Sequence, residues 1–180
     1  MKAAVFLDRD GVLNIPVVRD GRPYPPADAE SLVITDGAGE ALLELRRMGF
    51  MLICVTNQPD IARGARPLNE VEAVNRKVLE KLSLDDLFMC PHDNLDRCHC
   101  RKPKPGLLRE AARKWGLDLT RSWMIGDRAG DVAAGRAAGC RTIFIDLDYA
   151  EPKPEPVADH TCRSLPEAAV LIKNHKEFPA

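Results

Sequence analysis

FLDRDGVLN, residues 6–14, joins an apolar run to a cluster of charge. The run, Ala3 to Leu7, stops abruptly at Asp8-Arg9-Asp10-Gly11. It reads as a buried strand, and the polar tetrapeptide as the turn that leaves it. Asp8 and Asp10 then stand two residues apart at the carboxyl end of a strand. In an open α/β sheet that is the edge where ligands bind. Two acids held close need a cation beside them. Mg²⁺ suits the place, because it takes oxygen ligands and is commonly bound together with a phosphate.

Outward from this stretch, strand-like and helix-like segments alternate. Phe50 to Val55 is a second apolar run, ending in Thr56-Asn57-Gln58. Leu87 to Cys90 is a short third strand. Trp123 to Ile125 is a fourth, closed by Gly126-Asp127-Arg128, and Thr142 to Ile145 is a fifth. Ala38, Ala41, Leu42, Leu45 and Met48 recur at helical spacing, with Asp36 placed to cap the helix and Gly49 to stop it. Further helices are expected from about Asn69 to Leu82, Gly106 to Trp115, Asp131 to Ala138 and Pro166 to Lys173. This alternation predicts an α/β fold, a Rossmann-like parallel sheet with helices on both faces. Ile15 to Thr35 is a long polar stretch in which PYPP, residues 23–26, rules out helix. Its length marks it as a functional loop or flap. EPKPEP, residues 151–156, is expected to be extended and exposed.

The 180 residues are read as one domain over 1–180, with no internal repeat. A net charge of -1 does not call for nucleic acid or an anionic membrane as partner. No run approaches a membrane span, and the N-terminus carries no signal-peptide pattern, so a cytoplasmic location is expected. No obligate protein partner is inferred. Of the six cysteines, Cys54 and Cys140 lie in or beside apolar runs and are expected to be packed thiols, while Cys162 stands alone.

Parallel strands present their carboxyl ends on one edge, so Asp8 and Asp10, Thr56 and Asn57, and Asp127 are expected to converge. Asp8 is the candidate nucleophile toward phosphorus, giving an aspartyl-phosphate. Mg²⁺ between Asp8 and Asp127 would neutralise the phosphate charge. Asp10 is offset to protonate the leaving oxygen and then to deprotonate water. The Thr56 hydroxyl and nearby backbone N–H groups suit phosphate oxygens, which makes Thr56, Asn57 and Gln58 candidate substrate-binding residues. A lysine is needed to spread the charge, and Lys102 and Lys104 both qualify.

Cys90, His92, Cys98 and Cys100 form two pairs of ligand type, six residues apart. Three thiolates and an imidazole make a closed tetrahedral set of the kind that holds structural zinc. His99 is the rival imidazole, but it lies between two ligand cysteines. The loop, about residues 90–102, runs directly into Arg101-Lys102, so the metal would fix the lysine.

DRDGVLN, VTNQ, RKPKPG and GDRAGD resemble, in order, the four motifs of the haloacid-dehalogenase-like phosphatases. The resemblance implies Asp8 as nucleophile, Asp10 as acid and base, and Mg²⁺ held by Asp8, the Asp10 carbonyl and Asp127. It implies Thr56 and Lys102, rather than Lys104, as phosphate stabilisers, and Asp131 as an acid that orders the metal shell. With the zinc loop, the chain resembles the capless members that act on D-glycero-D-manno-heptose 1,7-bisphosphate or on histidinol phosphate. That likeness implies no large cap domain, Ile15 to Arg19 as part of a substrate flap, and Arg101 and Arg128 as substrate contacts. Arg19, Arg22, Arg63, Arg66 and Arg101 lie in loops near the expected mouth and suit a distal phosphate. Asp20, Asp28 and Asp60 would suit the cationic alternative. The sugar bisphosphate is the favoured substrate, within the lipopolysaccharide heptose branch of carbohydrate metabolism. The reading outside enzymes is a zinc module with a vestigial site.

Overall fold

Alternation along β1 (Ala4–Leu7) divides the core in two. Val5 and Leu7 join one apolar cluster, while Ala4 and Phe6 join the other. The same parity runs through β4 (Met51–Asn57), where Leu52 and Cys54 face one side and Ile53 and Val55 the other. In β6 (Trp123–Gly126), Trp123 and Ile125 oppose Met124. Strands apolar at every position belong in a sheet covered on both faces. The computed structural model describes residues 2–175 of the chain.

The covering helices follow from the clusters. α1 (Ala38–Arg47), α2 (Leu68–Lys81) and α5 (Leu165–Lys173) contribute Leu42, Leu45, Val74, Val78, Leu165 and Ile172 to one side. α3 (Gly106–Trp115) and α4 (Ala129–Ala138) contribute Leu107, Leu108, Ala111 and Ala134 to the other. With β5 (Asp86–Cys90), β7 (Arg141–Ile145) and β8 (His160–Cys162), the sheet has six strands in the order β5-β4-β1-β6-β7-β8. Every pairing is parallel. β1 sits between β4 and β6, so residues leaving all three emerge together.

The structure departs from the sequence-based expectations at four places. The stretch from Ile15 to Thr35 contains an antiparallel hairpin, β2 (Val17–Arg19) and β3 (Arg22–Tyr24), separate from the main sheet. β8 is a sixth strand of three residues without an apolar run. α4 begins at Ala129, two residues before the expected start. Asp36 does not cap α1. Gly37 is the N-cap, with φ of 71°, and no side chain caps the helix. The left-handed turn at Gly37 carries the chain into the helix one residue beyond Asp36.

Cys54, Cys140 and Cys162 are buried free thiols, as packing predicts for the first two. Residues 151–156 are mostly exposed and carry no helix or strand. Among the described residues, no helix is long and apolar enough to cross a membrane.

Candidate active site

Asp8 leaves β1 still bound to the sheet, its N–H donating to the Ile125 carbonyl (3.0 Å). The turn after it is tight. Gly11 N–H donates to the Asn14 carbonyl (2.8 Å), and Asn14 N–H returns to the Arg9 carbonyl (3.1 Å). Gly11 has a φ of 94°, and a Cβ there would lie 1.9 Å from Asp127 Oδ2. Only glycine lets the turn pass this close to the carboxylate that closes β6.

Asp8, Asp127 and Asp131 each offer a carboxylate oxygen within 4.8 Å of the others, and all three residues are buried. Lys102 reaches into this group from the loop before α3. Its ammonium donates to Asp8 Oδ1 (2.8 Å) and the Val55 carbonyl (2.7 Å), and it contacts Asp131 Oδ1 at 2.6 Å. All three ammonium donors thus have acceptors. Burial opposes the Lys102 charge, but Asp131 and Asp8 outweigh it and raise its pKa. Asp8 is pushed up to about 6, first by burial and then by Asp131, against the pull of Lys102. Asp127 is raised well above the ordinary range by burial, Asp8 and Asp131.

The charges do not balance. Asp8, Asp10, Asp127 and Asp131 face only Arg9 and Lys102 among the buried cations. Both oxygens of Asp127 are buried, and neither has a hydrogen-bond partner among the described residues. An all-oxygen site with two surplus negative charges and an orphaned carboxylate fits a hard divalent cation.

Asp10 is held by an unexpected set of donors. Arg9 donates to both of its oxygens (2.9 Å to Oδ2, 3.2 Å to Oδ1). Asn14 Nδ2 and Gln58 Nε2 add bonds of 3.1 and 2.9 Å. Arg9 is fully buried, and its second nitrogen donates to Asn75 Oδ1 of α2 at 2.6 Å. Sequence reasoning gave Arg9 no role beyond the turn, and it assigned none to Asn14 or Asn75. The partners lie 66 residues apart, beyond any local pattern.

Thr56, Asn57 and Gln58 do reach the same edge, but not in the same way. Gln58 Nε2 also donates to Thr56 Oγ1 (2.9 Å), tying the threonine to Asp10. The Asn57 side chain turns to the Lys102 peptide, donating to its carbonyl (3.0 Å) and accepting from its N–H (3.1 Å). Its side-chain amide is therefore committed to the protein, while Asn57 still lines the cleft.

The second cluster is Cys90, His92, Cys98 and Cys100. Their sulfurs lie 3.1–3.7 Å apart, and His92 Nδ1 is 3.3 Å from Cys100 Sγ and 3.6 Å from Cys90 Sγ. No disulfide joins them. Four such atoms around one point match a tetrahedral zinc site. His99 is exposed and outside the group. Lys104 turns toward the carbonyls of Arg97 and Cys98, away from the carboxylates.

A cleft of about 640 Å³ opens over Asp8 and Asp10. Thr56, Asn57, Gln58, Lys102 and Asp131 line its floor, with Arg22, Tyr24, Asp60, Arg63, Arg101 and Arg128 around it. Ala129 and Gly130, which begin α4, share the wall and point a helix N-terminus toward it. The flap assignment shifts: β3 with Pro25 lines the cleft, whereas Ile15 to Arg19 does not. Arg19 lies over the Tyr24 ring, and Arg66 holds the Pro26 and Ala27 carbonyls. Asp20 and Asp28 are likewise absent from the lining.

A family model described as haloacid dehalogenase-like hydrolase matches residues 25–139. A D-glycero-beta-D-manno-heptose-1,7-bisphosphate 7-phosphatase of Pasteurella multocida is 34% identical, covering 98% of this chain and all of that protein. The corresponding protein of Rhodopseudomonas palustris is 37% identical over 77% of this chain and 80% of its own length. Among solved structures, the D,D-heptose 1,7-bisphosphate phosphatase of B. bronchiseptica, complexed with magnesium and phosphate, superimposes with a TM-score of 0.78. It is 28% identical, and the match covers 96% of this chain and 98% of that one.

Proposed function

The chain belongs to the haloacid dehalogenase-like hydrolases, and on that footing we propose that it removes the 7-phosphate of D-glycero-D-manno-heptose 1,7-bisphosphate. The carrying observation is the meeting of Asp8 and Lys102 at 2.8 Å, across 94 residues of sequence, beside an orphaned Asp127.

In this reading Asp8 attacks phosphorus, the bond from phosphorus to the sugar oxygen breaks, and an aspartyl-phosphate forms. Asp10 gives a proton to the departing sugar oxygen. Asp10 then takes a proton from water as the water attacks phosphorus, which releases phosphate and regenerates Asp8. Lys102 and the Thr56 hydroxyl, with the N-terminus of α4, stabilise the charge on the phosphoryl oxygens. Asp8, the Asp10 carbonyl and Asp127 would hold Mg²⁺, with Asp131 orienting Lys102 and the surroundings of the metal. Bound Mg²⁺ supplies charge neutralisation, without which one anion resists attack by another. Cys90, His92, Cys98 and Cys100 would hold Zn²⁺, and four protein ligands suit a structural rather than a catalytic ion. Arg101 and Arg128 reach the cleft and suit contact with the substrate.

The test is phosphate release measured side by side on heptose 1,7-bisphosphate and histidinol phosphate. The expected kcat/KM favours the bisphosphate by at least about tenfold, the ratio that one added charge-assisted contact supports. The reverse order would assign the site to histidinol phosphate.

A further inference from the structure

Four guanidinium groups surround the cleft, and their commitments differ. Arg63 is spent on Asp93, with paired bonds of 2.9 Å, and on Asp60. Arg128 pairs with Glu151 at 2.7 Å and also reaches the Pro23 carbonyl. Arg101 donates to Asn94 Oδ1 (2.8 Å) and the His92 carbonyl (3.2 Å), both neutral. It is fixed in place and makes no direct ion pair with a described residue, Asp93 acting on it only from a distance. The Arg22 side chain, on β3, has neither a hydrogen bond nor an ion pair with any described residue, although it lines the same cleft.

The backbone under Arg22 is nevertheless anchored. The neighbouring Gly21 carbonyl accepts from Ala150 N–H at 2.8 Å, and Arg66 holds the carbonyls of Pro26 and Ala27. Gly21 has a φ of 71°, and a Cβ there would lie 2.8 Å from Ala150 Cβ. The hairpin is thus pinned at its tip and at its base, while the side chain between them is uncommitted.

We propose that Arg22 is a specificity-determining residue, pairing with Arg101 to grip the phosphate of the substrate that is not hydrolysed. The proposal rests on the bisphosphate reading. A phosphate dianion accepts bidentate bonds from a guanidinium and fits two guanidinium groups without direct ion pairs better than one. Arg101 is the fixed arm, held by the zinc loop. Arg22 is the arm free to close, because it gives up no existing partner on binding. The transferred phosphate stays with Asp8, Lys102 and Thr56, which Arg22 does not contact.

The experiment compares heptose 1,7-bisphosphate with heptose 7-phosphate in the wild type, Arg22→Gln and Arg22→Lys. The wild type favours the bisphosphate. Arg22→Gln loses about tenfold or more in kcat/KM on the bisphosphate, carried by KM, the scale of a lost charge-assisted contact. It changes less than about twofold on the monophosphate, which lacks that contact, and Arg22→Lys recovers part of the loss. Arg22 is exposed and unbonded, so folding is unaffected. A wild type without preference for the bisphosphate overturns the substrate reading and this inference with it. A wild type that prefers the bisphosphate, with Arg22→Gln unchanged, overturns this inference alone.

Discussion

The Asn57 side chain brackets the Lys102 peptide, accepting from its N–H at 3.1 Å and donating to its carbonyl at 3.0 Å. A strand end thereby dictates where the ammonium of a distant loop can sit. Asn57→Ala leaves both peptide groups unpaired, at about 1–3 kcal/mol of stability. A lysine displaced by about 1 Å costs on the order of 10²-fold in turnover. Steady-state kinetics and thermal melting read both effects. A variant with full kcat would show that Lys102 is placed without Asn57.

Asp8→Asn should retain the fold while turnover falls by roughly 10³-fold or more, since the nucleophile is lost. Circular dichroism reports the fold and phosphate release the rate. Wild-type turnover in the variant removes Asp8 as nucleophile.

The raised carboxylates make metal binding depend on pH. Asp8 moves from 3.8 up to about 6, and Asp127 moves the same way. A carboxyl whose folded pKa exceeds its unfolded value binds protons more tightly when folded, so metal-free stability falls as pH rises from about 4 through 6. Mg²⁺ competes with those protons and relieves the repulsion that appears above pH 6. The rise in Tm on adding Mg²⁺ should be larger at pH 8 than at pH 5. Equal shifts at both values would contradict the buried cluster as the metal site.

The four-ligand cluster predicts about one zinc per chain in protein purified without chelator. Stripping it, or replacing Cys98 with Ser, should lower Tm and kcat together, because the loop that carries Arg101 and Lys102 loses its core. Elemental analysis settles the stoichiometry, and a metal-free preparation with full activity defeats the proposed role.

Arg9 should matter to stability more than its place in a turn suggests. Its side chain is fully buried between Asp10 and Asn75. Arg9→Ala strands both partners, a loss of about 3–5 kcal/mol for a broken buried pair. Denaturant titration measures it. A change under about 1 kcal/mol would mean that water replaces the guanidinium.

Where an apolar run ends in polar residues, the candidate site was legible in advance: Asp8 and Asp127 each follow a strand buried throughout, and Thr56 is the last buried residue of β4. The cluster of Cys90, His92, Cys98 and Cys100 was legible because its spacing is local. Arg9 was not, since its role depends on Asn75 of α2, which the fold alone brings near. Asn57 was expected at this edge, but the hold of its side chain on the Lys102 peptide was not legible, because which way an amide turns is a tertiary fact. β2, β3 and β8 escaped because each is three residues long: VVR and RPY bury no residue and HTC buries only Cys162, too little to show a period. Asp36 looked like a cap by type, yet Gly37 at positive φ set the entry into α1.

The ribbon of β2 and β3 is tied to the body by few bonds: Ala150 N–H to the Gly21 carbonyl at its tip, Arg128 to the Pro23 carbonyl, and Arg66 at its base. Lengthening or reshaping that overhang between Ile15 and Pro26 would leave every strand of the main sheet in register. Natural variation can therefore retune which molecules are admitted while the phosphoryl chemistry below stays unchanged.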